Sequence, residues 1–116
     1  MRLSEFLDEK NIVPELKARD KNGVLDELAE VVSSNDPLIE KGELIKVLVE
    51  RERLGTTGIG DGVAIPHGKL SCLTRPVVAF ARSLQNLDFD SMDGKPAHLF
   101  FLLAAPALPY GMLLQG

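Results

Sequence analysis

The sequence predicts an α/β fold in which helices flank a mixed β-sheet. Amphipathic periodicity of helical spacing recurs twice in the first half, and two almost wholly apolar runs of strand length lie in the second. A glycine-rich bend separates the two regimes. At 116 residues the chain has room for one domain with a single two- or three-layer core.

The elements follow in order. Leu3 to Leu7 reads as a short helix start. Ile12 to Leu16 reads as a brief extended segment, which Pro14, lacking an N–H, confines to an edge or irregular strand. Asp20 caps a helix running to about Ser33, with Val24, Leu25, Leu28, Ala29 and Val32 on one face. Ser33 to Pro37 is loop chemistry. A second amphipathic helix covers roughly Glu40 to Arg53, striped by Leu44, Val47 and Leu48, and Gly55 stops it. Val63 to Ile65 reads as a short strand. Val77 to Arg82 starts with the continuous apolar run of a strand buried on both faces. Leu87 to Phe89 forms a short strand or bend, Asp93-Gly94 a turn, and Leu99 to Ala105 (LFFLLAA) a further apolar strand. The helices are expected to cover the sheet faces. The tail, residues 107–116, has no periodicity and no charged residue, and is too short for a covering helix and its connection. Either another subunit covers this strand or the chain is incomplete.

Composition narrows the function. Hydrophobic residues make up 45% and charged residues 26%, with a net charge of −4 and scattered lysines and arginines, so no nucleic-acid footprint is expected. The single Cys72 excludes an internal disulfide and reads as a small, partly buried apolar residue in a reducing compartment. The opening MRLSEFLDEKN alternates charges too early for a signal peptide, and no apolar run reaches membrane-spanning length. The expectation is a cytoplasmic protein without membrane insertion.

The stretch Gly55 to Gly68, GTTGIGDGVAIPHG, concentrates the chemistry. His67 offers a nucleophile that works near neutral pH, stiffened by Pro66 before it and left uncrowded by Gly68 after it. An imidazole with one unprotonated nitrogen can attack phosphorus and pass the group on. A hydrogen-bonded histidine at a strand end is the plain alternative. Arg51 stands three and four residues after Leu48 and Val47, at the end of the apolar stripe, while Arg53 falls off that face. A partly desolvated guanidinium there needs an anionic partner, either a carboxylate or a phosphoryl group. The bend could bring the chain back so that Arg51 and His67 meet. Thr56, Thr57, Gly58, Gly60, Asp61 and Gly62 make up the bend, whose N–H groups and hydroxyls can hold phosphate oxygens. It is not a Walker loop. Asp61 either orients the imidazole or caps the turn. His98 reads as a strand-end residue that could titrate near the site if the strands are neighbours. With two histidines and one cysteine, no metal site is expected.

The segment RERLGTTGIGDGVAIPHGKL, Arg51 to Leu70, closely resembles the active-site segment of enzyme IIA domains of the mannitol–fructose type (type 2) in the bacterial phosphotransferase system. The opening, residues 1–32, is similar to the nitrogen-regulatory subgroup of that family, and AHLFFLLAAP fits its later strand. The resemblance covers residues 1–106 as one domain, followed by an atypical tail at 107–116. It implies that His67 accepts a phosphoryl group from HPr or its nitrogen-branch counterpart, that Arg51 stabilises the phosphorylated site, and that no cofactor is required. A transporting member would pass the group to an enzyme IIB domain. A regulatory member would signal through target proteins. The family continues after Ala-Pro with a second histidine, roughly where Leu113 stands here, and then C-terminal helices, which are missing. A sugar-specific (fructose or mannitol) enzyme IIA stays open as a second reading within the family, since separate transport subunits exist, and the departure keeps open an interaction module that has lost transfer. It also leads to an expectation of self-association over the Leu99 to Ala105 strand, since large apolar patches are rarely left in water.

Overall fold

The computed structural model describes residues 3–107, and the tail segment that includes Leu113 lies outside the described residues. A 3-10 turn, Leu3–Phe6, leads into β1 (Leu7–Val13). The strand starts earlier than Ile12 and stops at Val13 because Pro14 has no N–H to continue the ladder. β1 lies at the sheet edge, as Pro14 implies. The chain still follows its neighbour past the proline: Leu16 N–H donates to Arg82 O at 2.8 Å, and Arg82 Nε donates to Pro14 O at 2.9 Å.

Helix α1 spans Lys21–Asn35, two residues beyond Ser33. Its N-cap is Asp20, whose Oδ1 accepts the Gly23 N–H at 2.7 Å. The expected face, Val24, Leu25, Leu28, Ala29 and Val32, is buried. Helix α2 spans Lys41–Arg53, with Glu40 accepting the N–H groups of Gly42 and Glu43. Leu44 and Leu48 are fully buried and Val47 is half-buried. Full burial of each such leucine contributes about 1.5–3 kcal/mol.

The strands after α2 are β2 (Gly58–Gly60), β3 (Val63–Ala64), β4 (His67–Leu70), β5 (Val77–Leu87) and β6 (Ala97–Pro106). They form a six-stranded sheet in the order β1-β5-β6-β3-β2, with β4 also paired to β6. The β1–β5, β3–β6 and β4–β6 pairs are parallel, and β5–β6 and β2–β3 are antiparallel, so the sheet is mixed. β2 and β4 were not foreseen as strands, because three- and four-residue segments rich in glycine carry no legible alternation.

Both helices share one face of the sheet. Their buried residues join one core with Ala79 and Ala81 of β5 and Phe100, Leu102 and Ala104 of β6, alternate positions that point the same way. On the other face Phe80 and Phe101 stack at 4.8 Å between ring centroids, and Phe101 and Ile12 remain exposed. The expectation that helices cover both faces is therefore corrected among the described residues. Cys72 is exposed rather than partly buried, since it sits in the turn after β4. No helix among the described residues is long and apolar enough to cross a membrane.

Candidate functional site

Helix α2 ends in Arg51-Glu52-Arg53, with the Leu54 N–H returning to the carbonyls of Arg51 and Glu52. Cations are favoured at this end, where the last carbonyls concentrate negative charge. Arg51 is half-buried, whereas Arg53 faces solvent. The Arg51 guanidinium spans two acceptors: Nη1 donates to Gly55 O at 2.8 Å, and Nε donates to His67 Nε2 at 3.3 Å. Arg51 and His67 thus touch directly.

That contact decides the imidazole's tautomer. Arginine remains protonated, so His67 Nε2 is the acceptor and the ring proton resides on Nδ1. Nδ1 lies 2.8 Å from Ile65 O, to which it donates. The tautomer is assigned from these two partners. Nε2 carries the lone pair, and it is the nitrogen facing the guanidinium.

Two short strands and a close helix approach hold the pair together. His67 opens β4 opposite Leu103 of β6, while Pro66 O accepts the Leu103 N–H at 3.0 Å. Gly68 follows, and a Cβ there would lie 2.7 Å from Val47 Cγ2 and 3.1 Å from Val47 Cβ. Only glycine lets α2 pack this closely on β4. The missing side chain makes room for the helix that carries Arg51, beyond leaving the His67 ring uncrowded.

The bend is a frame in which the N–H groups of Gly55, Thr57 and Gly58 and both threonine hydroxyls are engaged within the protein. Thr57 is buried, and both its N–H and its Oγ1 donate to the Glu52 carboxylate. Thr56 Oγ1 donates to Phe89 O at 3.0 Å and accepts the Gly58 N–H at 3.0 Å. The Gly55 N–H donates to Glu52 O. Donors committed inside the protein cannot serve a phosphoryl oxygen without losing a bond, so the two threonine hydroxyls and the N–H groups of Thr57 and Gly58 hold the bend together in this structure. Gly60 ends β2 with φ +105, a conformation glycine tolerates. Asp61 occupies the β2–β3 turn with φ +56, and its N–H donates to Asp93 Oδ2. It belongs to the turn, because the imidazole proton goes to Ile65 O. His98 sits beside Gly62, at the other end of β6 from Leu103, and its N–H donates to Gly62 O at 2.7 Å. It does not join His67.

Sequence reasoning missed Glu52 and Lys21. The Lys21 ammonium lies 2.9 Å from Glu52 Oε1 and 4.9 Å over the Phe89 ring. A signal existed: Leu44, Leu48 and Glu52 stand four apart, so a carboxylate continues the most buried stripe of α2 and must find partners. Arg51 and His67 are both half-buried. A hollow of about 490 Å³ lined by residues such as Asn11, Asn35 and Arg75, and another of about 400 Å³ beside Val47 and Lys69, include neither Arg51 nor His67.

Comparison with known proteins gives the family of the chain. Residues 5–110 match the family described as "Phosphoenolpyruvate-dependent sugar phosphotransferase system, EIIA 2". A nitrogen regulatory protein of Bradyrhizobium diazoefficiens is 43% identical over 110 residues, covering 91% of this chain and 69% of that protein. The fructose-specific EIIABC component of Bacillus subtilis is 36% identical over 105 residues, covering 90% of this chain but only 16% of the relative. Among solved structures, the nitrogen regulatory protein IIA-Ntr of Neisseria meningitidis superposes with a TM-score of 0.85 at 32% identity, covering 97% of this chain and 77% of that one. In this chain a half-buried histidine stands against an arginine at a helix end, and the chain belongs to the EIIA type-2 family of the phosphoenolpyruvate-dependent phosphotransferase system.

Proposed function

We infer that this domain is a phosphoryl carrier that takes a phosphoryl group on His67 Nε2 from the phosphohistidine of an HPr-type protein. The observation that carries this reading is the 3.3 Å contact between Arg51 Nε and an Nε2 whose ring proton is held elsewhere. In the transfer, the Nε2 lone pair forms the new N–P bond as the donor's N–P bond breaks, and that bonding pair returns to the donor ring. The proton stays on Nδ1, where Ile65 O stabilises the positive charge the ring acquires. Arg51 turns its N–H groups from Nε2 to the phosphoryl oxygens while Gly55 O keeps hold of Nη1. Phosphoryl transfer asks mainly for positioning and charge stabilisation, and these two residues supply both.

The biological role we propose is nitrogen regulation in the cytoplasm, supported by the similarity to nitrogen regulatory proteins over nine-tenths of the chain. A regulatory target would read the phosphorylation state. The B. subtilis relative favours a second reading, a sugar-specific enzyme IIA that hands the group to an enzyme IIB domain. Intact-mass analysis after incubation with phosphoenolpyruvate, enzyme I and HPr tests the carrier function. An acid-labile gain of one phosphoryl group, absent from His67→Ala, is expected. A folded wild-type chain that gains nothing, beside a competent family member, would refute transfer and leave an interaction module.

A further inference from the structure

We propose that Glu52 is a positioning residue for phosphoryl transfer, acting through Thr57 to hold Arg51 and His67 in register; the inference rests on the carrier function above. Glu52 makes no hydrogen bond to the imidazole, yet two of the ties that fix the pair, one to Arg51 and one to His67, run through the bend it clamps. Its side chain is only 7% exposed. Oε1 accepts the Thr57 N–H at 3.0 Å and the Lys21 ammonium at 2.9 Å, and Oε2 accepts Thr57 Oγ1. Lys21 is itself seated over Phe89, whose carbonyl takes the Thr56 hydroxyl. The residues at 56 and 57 are therefore gripped from two sides.

Two consequences reach the site from this grip. Backwards along the chain, it fixes Gly55 O, the acceptor that anchors Arg51 Nη1 at 2.8 Å. Across the chain, Thr57 O accepts the Ile65 N–H at 3.0 Å, and Ile65 O in turn receives the His67 Nδ1 proton. One carboxylate thus sets the guanidinium's position and, by way of Ile65, the imidazole's tautomer. A carboxylate is needed because it must accept three donors at once. An amide in its place offers one acceptor oxygen and a competing donor pair. Lys21 balances the charge, so Glu52 is a paired buried acid rather than an isolated one.

Glu52→Gln tests the idea with two readouts: single-turnover phosphoryl transfer from phosphorylated HPr, and ¹⁵N NMR of the His67 ring in the folded, unphosphorylated protein. The expected result is a transfer rate lowered about tenfold to a hundredfold with the donor's KM unchanged, as for a reacting group displaced by up to an ångström. The ring should also change from a single Nδ1–H tautomer to a mixture. Glu52→Asp, which keeps the charge, should recover part of both. Lys41→Met, which breaks an exposed pair with Asp26 and Glu30, should leave both unchanged. If Glu52→Gln does not fold, Thr57→Val takes its place, since it removes the Oγ1 bond and keeps the N–H bond. A folded variant with wild-type rate and a single tautomer overturns the proposal. A wild-type chain that accepts no phosphoryl group refutes the carrier reading instead, and the tautomer measurement then decides the positioning claim alone.

Discussion

Replacing Gly68 by alanine should separate the two halves of the site without touching either reacting side chain. The added Cβ would stand 2.7 Å from Val47 Cγ2, 3.1 Å from Val47 Cβ and 3.4 Å from the Val47 carbonyl carbon. Carbon atoms prefer about 3.5–4.0 Å, so the closest contact must open by about 1 Å. Valine in a helix has essentially one χ1 rotamer, and its backbone is also close, so the helix must give rather than the side chain alone. Overpacking of this kind costs about 1–3 kcal/mol, offset by about 0.4–1 kcal/mol from the reduced freedom of the unfolded chain. A net loss of about 1–2 kcal/mol should appear in urea denaturation. Moving α2 away from β4 also lengthens the 3.3 Å Arg51–His67 contact, and a displacement near 1 Å can slow transfer by about a hundredfold. Val47→Ala in the same chain removes Cγ2 and should restore much of both losses, giving a coupling that a double-mutant cycle measures. Wild-type stability and transfer rate in Gly68→Ala would refute the close-approach argument.

Two further outcomes are expected. Arg51→Ala should lower phosphoryl acceptance about a hundredfold while the circular dichroism spectrum stays native, because one charged donor to the transferring group is lost; Arg51→Lys should recover only part, since an ammonium cannot span Gly55 O and His67 Nε2 in the fixed fork of a guanidinium. A wild-type rate in Arg51→Ala would remove it from the site. The second outcome concerns acid. The Asp93 carboxyl is held below its ordinary value of 3.8 by the backbone N–H of Lys95 and then by that of Asp61. Its ionised form therefore stabilises the turn above the ordinary value, and that contribution is lost as pH falls through the lowered one. The protection of the Asp61 and Lys95 amides, taken relative to the intrinsic exchange rate at each pH, should fall on acidification below the ordinary aspartate range, and Asp93→Asn should flatten that dependence. An unchanged profile in the variant would show that the carboxylate does not hold the turn.

Much of the architecture is legible in one dimension because it is built from local rules. The α1 cap at Asp20, the buried face from Val24 to Val32, the Leu44–Leu48 stripe and the apolar runs at Val77 and Leu99 each depend on residues within a turn or two of one another. Helix periodicity also put Arg51 on the edge of the packed face, and the glycine-rich return to Pro-His-Gly made its meeting with His67 foreseeable. The start of β1 is not legible in the sequence because its polar stretch Asp8-Glu9-Lys10 hides an edge strand whose register shifts between Leu7 and Ile12. β4 was unreadable because His-Gly-Lys-Leu pairs with a strand some 36 residues further on, in the register His67 to Leu103.

The sequence by itself determined the α/β class and the two helices and singled out Arg51 and His67 as a candidate pair, since capping, periodicity and residue chemistry act over a few neighbours. Only the tertiary structure decided that both helices share one sheet face, that Thr57 donates to Glu52 and the Thr56 hydroxyl to Phe89, and that the vacancy at Gly68 is filled by Val47. It also decided which imidazole nitrogen is free, through Ile65 O on one side and Arg51 on the other. Those outcomes depend on contacts between residues far apart in the chain, where hydrogen-bond partners and packing space exist only once the elements have assembled.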